Sequence, residues 1–150
     1  MRNGSVAENE PDPSASRATA LRFLSRLGAG TLGDDDVSAD FEAWSISSGS
    51  ITRESYLARM PIFARIFRSP LLFTVSDMVI EGLKIAIRAK SEGALFNGAI
   101  YRNDYMFLME IDAHGTVRRF YEYYDRRPAE EILYPARRSW LEMHGGSSPR

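Results

Sequence analysis

Residues Gly98–Asp125, GAIYRNDYMFLMEIDAHGTVRRFYEYYD, decide the fold of this chain. They read as two long β-rich runs folded back on each other around the turn Asp112-Ala113-His114-Gly115. Side chains alternate along a strand, so Tyr101, Asn103, Tyr105 and Phe107 share one face of the first run. Phe120, Glu122 and Tyr124 share one face of the second. One carboxylate, one amide and several phenols on a sheet face predict a pocket with a polar end.

Upstream, Asn97-Gly98 predicts another hairpin, read as a type I′ turn with both residues at positive φ. Before it lie Leu71–Ile80 and Leu83–Glu92. In the latter, Leu83, Ile85, Ile87 and Ala89 fall on one face and Lys84, Ala86, Arg88 and Lys90 on the other. Further back, Thr52 caps an amphipathic helix from Arg53 to about Phe67, with Tyr56, Met60, Phe63, Ile66 and Phe67 on its apolar side. Pro61 predicts a kink or break in it. Phe41–Ile46 reads as a short strand, and Ser47–Ser50 as a turn. A first helix runs from a Ser16 cap to about Leu27, with Ala20, Phe23, Leu24 and Leu27 as its stripe and Gly28-Ala29-Gly30 as its end. After Asp125, Pro128 starts a short helix to about Leu133.

The expected organisation is a disordered arm over residues 1–16, one domain over 17–134 and a fraying tail over 135–150. The order of helix, short strand, helix and antiparallel meander predicts an α+β fold. A curved antiparallel sheet wraps on helices and encloses a cone-shaped pocket.

Composition narrows the chemistry. The 150 residues are 44% apolar and 26% charged, with a net charge of −1, so overall charge gives no argument for nucleic acid or a membrane surface. No cysteine is present, which removes disulfides, thiolate metal sites and a thiol nucleophile. No apolar run is long enough to span a bilayer, and MRNGSVAENEPDPSAS has no apolar signal core, so a cytoplasmic location is expected. Asp34, Asp35 and Asp36 are consecutive and would point apart on a helix, so no metal is expected there. The RRFYEYYDRR segment mixes basic and aromatic residues with acids in a strand, which disfavours nucleic-acid binding. There is no phosphate-cradling glycine loop, zinc spacing or nucleophilic serine motif.

FLSRLGAG (Phe23–Gly30), the DFEAW strand, GAIYRNDYMFLMEI (Gly98–Ile111) and HGTVRRFYEYYD (His114–Asp125) together resemble the SnoaL-like branch of the nuclear-transport-factor-2-like superfamily. The resemblance covers roughly residues 17–133. Its members include ketosteroid isomerase, limonene-epoxide hydrolase and polyketide cyclases. It implies a cofactor-free enzyme acting by isomerisation, cyclisation, dehydration or epoxide opening; the same fold also serves as a non-catalytic binding or dimerisation module. Against limonene-epoxide hydrolase, its arginine matches Arg88 and one acid matches Glu122. The other acid falls on Lys90, and the water-holding tyrosine and asparagine fall near Ala43 and Ser45. Against ketosteroid isomerase, the oxyanion tyrosine falls near Phe23, the base near Ser45 and the protonated acid on Asn103. The cyclases' histidine has no counterpart in a strand, since His114 lies in a turn and His144 in the tail.

The expected catalytic pair is therefore Glu122, moving a proton, and Arg88, stabilising charge. The expected substrate-binding residues are Asn103, Tyr105, Tyr101, Tyr124, Trp44, Phe63 and Lys90. The expected ligand is small and apolar. If Arg88 faces the pocket, the Leu83–Ile85–Ile87–Ala89 strip faces out, and a homodimer through the sheet would cover it.

Overall fold

The computed structural model describes residues 12–145. Helix α1 (Pro13–Ala29) leads into β1 (Val37–Ser45) and β2 (Gly49–Thr52), then α2 (Arg53–Ala58) and α3 (Met60–Ile66). The meander follows as β3 (Leu72–Glu81), β4 (Lys84–Ala94), β5 (Ile100–Ile111) and β6 (Val117–Tyr124). The chain closes with α4 (Arg126–Pro128), a π-helical turn (Ala129–Leu133) and α5 (Tyr134–Met143). The six strands form one sheet in the order β2-β1-β6-β5-β4-β3. The α+β expectation holds, but the sheet is mixed: β1 runs parallel to β6, and every other pair is antiparallel. The long excursion through the meander lets the chain return alongside β1 in the same direction. Among the described residues no helix is long and apolar enough to cross a membrane.

Helix α1 begins at Pro13, so Ser16 is buried inside the helix and does not cap it. The rest of the expected arm, residues 1–11, lies outside the described residues. Gly30 ends the helix at φ 70°; its N–H donates to Leu27 O and that of Thr31 to Arg26 O, the paired bonds that satisfy a helix's last carbonyls. Gly28 has a different use. The Leu71 N–H donates to its carbonyl at 2.9 Å, and a Cβ at Gly28 would lie 2.0 Å from Leu71 O. Gly28→Ala must push backbone away from backbone, and we expect it to destabilise the fold by about 1–3 kcal/mol in urea unfolding.

The helix expected over 53–67 is two helices. Thr52 Oγ1 accepts the Ser55 N–H, as a cap should, and the break falls at Arg59, just before Pro61. Both hairpin turns close alike. Gly98 N–H donates to Leu95 O and Leu95 N–H to Ala99 O; Gly115 N–H donates to Asp112 O and Asp112 N–H to Thr116 O. Phe96 and Asn97 are thus the central residues, and only Gly98 needs positive φ (92°), which replaces the expected type I′ turn.

Sheet alternation settles which faces are buried. Ile85, Ile87 and Ala89 are at most 1% exposed, and Leu83 packs partly buried against the same core. Arg88 and Lys90 point out, where Arg88 pairs with Asp77 at 3.4 Å and Lys90 with Asp104 at 2.8 Å. The pocket orientation expected for Arg88 and Lys90 is thereby corrected, and so is the outward aliphatic strip. The physical reason is the transfer free energy of three aliphatic side chains, about 1.5–3 kcal/mol for each large one, against near-zero gain from burying two cations. Inside, Phe107 stacks on Phe120 and Tyr105, with Phe23 edge-on to Phe120.

The C-terminal segment expected to fray is helical to Met143. Pro135 does not break it, because the preceding turn is widened: the Tyr134 N–H reaches back to Ala129 O. A proline has no N–H to give and its ring needs that room. Ala136 buries against the sheet's open end, and Leu141 is buried as well. Residues 146–150 of the expected tail lie outside the described residues.

Candidate active site

A cavity of about 480 Å³ opens between the inner sheet face, α2, α3 and α5. Its floor comes from Tyr101 and Tyr105 on β5 and Glu122 and Tyr124 on β6. Its walls include Tyr56, Met60, Phe63 and Phe73, and Tyr134 and Arg137 close over it from the C-terminal helix. A larger groove of about 840 Å³ lies elsewhere, partly over outer-face charges such as Lys90, Glu92, Arg102 and Asp104. Those charges pair with each other in solvent, so the smaller cavity is the better candidate for chemistry.

Glu122 is the acid of this cavity. Strand β6 places it beside Ser45 of β1. The Tyr56 hydroxyl donates to Glu122 Oε2 at 3.1 Å. No other hydrogen bond or ion pair reaches its carboxyl among the described residues. Protein surrounds the group, although it keeps some accessible surface through the cavity. Burial pushes its carboxyl up to about 7, and the Tyr56 hydrogen bond and the Arg59 charge offset only part of that. Burial also holds the Tyr56 phenol well above its usual range, so Tyr56 stays a donor.

The phenols are wired together. Asn103 Nδ2 donates to Tyr101 OH at 2.8 Å and to Asp125 O at 2.8 Å, while Asn103 Oδ1 accepts the N–H groups of Asp104 and Asp125. Both donors and both acceptor sites of that amide are used. Asn103 therefore lies behind the cavity wall and orients Tyr101, where direct contact with a ligand was expected. Tyr101 and Tyr105 share a hydrogen bond of 2.9 Å, and Tyr124 and Tyr134 one of 2.8 Å. The pKa of each of Tyr101 and Tyr105 is raised by burial, so both phenols keep their protons at neutral pH.

Of the residues expected from sequence, Glu122, Tyr101, Tyr105, Tyr124 and Phe63 come together around the cavity. Arg88 and Lys90 do not, and neither does Trp44, whose ring packs tilted against Tyr123 at 4.9 Å on the outer face. Tyr56, expected only in the core, and Arg137 and Arg138, expected only in the tail, join the site, together with Arg59 and Tyr134, which the sequence reading did not single out. The i, i+3 spacing of Tyr56 and Arg59 was a usable signal that both belong to one helix face.

No protein-family model matches the sequence, and no curated protein matches it. Solved structures do match in fold. PrhC from Penicillium brasilianum NBRC 6234 superposes with a TM-score of 0.70 at 17% identity, over 86% of this chain and 91% of that one. The BvnE pinacolase from Penicillium brevicompactum gives 0.67 at 13% identity, over 86% and 97%. A proposed SnoaL-like polyketide cyclase from Jannaschia sp. CCS1 gives 0.62 at 17% identity, over 77% and 90%. With six strands in one mixed sheet and helices packed against it, this chain has the fold of solved SnoaL-like and nuclear-transport-factor-2-like proteins.

Proposed function

We propose that the cavity is the active site of a cofactor-independent enzyme that moves a proton on a mostly apolar small molecule. One observation carries this reading: Glu122 faces the cavity with one carboxyl oxygen held by Tyr56 and the other without a protein partner among the described residues. A carboxylate so placed can take a proton from a C–H next to a carbonyl. The C–H electron pair becomes an enolate, and its oxygen needs donors. Tyr101, held by Asn103, shares with Tyr105 a hydrogen bond that either phenol can donate, and when Tyr101 donates it the Tyr105 O–H is free to point into the cavity. Glu122 then returns the proton at another carbon, which is isomerisation, or the enolate carbon attacks a second carbonyl of the same molecule, whose oxygen takes the π electron pair and then the Glu122 proton, which is cyclisation. Epoxide opening loses its support with Arg88 on the outer face.

The test is proton exchange. A panel of cyclic enones and β-dicarbonyl compounds in D2O, followed by NMR, should show enzyme-dependent uptake of deuterium at the carbon next to the carbonyl. Absence of exchange across the panel, with binding of the same compounds, would favour a carrier of the same fold.

We also propose a homodimer through the sheet, using the outer face and not the strip first expected. The cross-strand row Val79, Ala86, Leu108, Tyr121 and Trp44 is apolar, with Met106 and Tyr123 beside it. Val79 is 67% and Met106 49% exposed. Charges of both signs flank the row, such as Arg88 with Asp77 and Lys90 with Asp104, so two copies can meet without net repulsion. Sedimentation should give a dimer mass that Leu108→Glu converts to a monomer; a monomer for the parent chain at micromolar concentration would overturn the proposal.

A further inference from the structure

Three arginines line the cavity: Arg59 at the break between α2 and α3, and Arg137 and Arg138 on α5. Elsewhere arginines meet carboxylates, as Arg53 meets Asp34 and Arg102 meets Glu92. None of the cavity's three has an ion pair or a side-chain hydrogen bond among the described residues. Glu122, the acid lining the same cavity, is beyond ion-pair distance of them and spends its one hydrogen bond on Tyr56. Arg59 and Arg137 line the same cavity, and the Arg59 charge lowers the pKa of Arg137. Arg137 is also half-buried, and burial lowers its pKa more than the Arg59 charge does. A half-withdrawn guanidinium beside a second cation is unfavourable until an anion arrives.

We propose that the substrate carries a carboxylate that seats between Arg59 and Arg137, with its apolar skeleton running down the aromatic wall toward Glu122. This rests on the cavity being the substrate site. A guanidinium matches the two oxygens of a carboxylate with two parallel N–H donors, and two arginines give that end of the cavity a polarity its aromatic wall lacks. Anchoring the far end of the molecule would also fix which C–H faces Glu122. The alternative oxyanion, a phosphate monoester, has the same guanidinium chemistry and is separated by experiment.

Calorimetric binding of 1-naphthoate, 1-naphthamide and 1-naphthyl phosphate tests this. The carboxylate should bind at least tenfold more tightly than the isosteric amide. Arg137→Met and Arg59→Met should each erase most of that preference, since methionine keeps the apolar stem without the charge. Arg137→Lys should restore part of it. Melting temperatures close to the parent's, with naphthamide still bound, show that the cavity survives in each variant. Equal affinity for naphthoate and naphthamide, or a preference untouched by both methionine variants, would overturn the proposal; so would tighter binding of the phosphate. Glu122→Gln should keep the carboxylate preference. Loss of the preference with exchange intact would thus count against the arginines alone, and the reverse against the base alone.

Discussion

Glu122→Gln should leave a folded protein that no longer moves a proton. The amide is nearly the same size as the carboxylate and can still accept the Tyr56 hydroxyl through its oxygen, so the cavity keeps its shape. Only basicity is lost. Positioned general bases contribute about 10²–10⁴ in rate, and exchange measured by NMR should fall by that factor. The parent's rate should carry the signature of the same group. With Glu122 acting as base, kcat/KM should rise through a pH of about 7 and then level off. An ordinary carboxylate would already be ionised two pH units lower. A Glu122→Gln protein with undiminished exchange would remove this residue from the mechanism.

The same substitution should stabilise the protein, and only at higher pH. The carboxyl titrates at about 7 in the fold and near the ordinary glutamate value of 4.5 once unfolded. Below 4.5 it is neutral in both states. Between 4.5 and 7 the unfolded chain gives up its proton while the folded chain holds it, so rising pH favours unfolding. Above 7 both forms are ionised, and the loss has reached its full extent, about 3 kcal/mol. Glutamine never becomes charged. The melting temperatures of parent and variant should therefore coincide near pH 4.5 and diverge in favour of the variant by roughly 6–12 °C at pH 8.5. A difference that does not change with pH would mean that Glu122 titrates in the fold as it does in solvent. Loss of activity together with a pH-dependent gain in stability is the mark of a charge held in place for function.

The C-terminal helix illustrates where local signals stop. YPARRSWLEM runs into GGSSPR, a glycine- and serine-rich ending that marks the segment as a fraying tail. What makes it helical is the widened turn at Ala129–Leu133, which accepts Pro135, and the apolar end of the sheet, which buries Ala136. Neither is visible within ten residues of sequence. Arg88 illustrates the opposite error. The alternation of Ile85, Ile87 and Ala89 with Lys84, Arg88 and Lys90 already names the inner face. Matching Arg88 to a relative's catalytic arginine put the charged side inward against that pattern, and the structure follows the pattern.

Strand periodicity by itself determined the inner face of β5 and β6, and with it the convergence of Tyr101, Tyr105, Glu122 and Tyr124, because alternation along a strand is a local geometric rule. Only the tertiary structure decided which groups share the cavity with Glu122. Tyr56 is 66 residues away, and Arg59 and Arg137 come from helices on either side of the cavity. Their meeting depends on how helices pack across a curved sheet, and that is set by the whole core and not by any one stretch of chain.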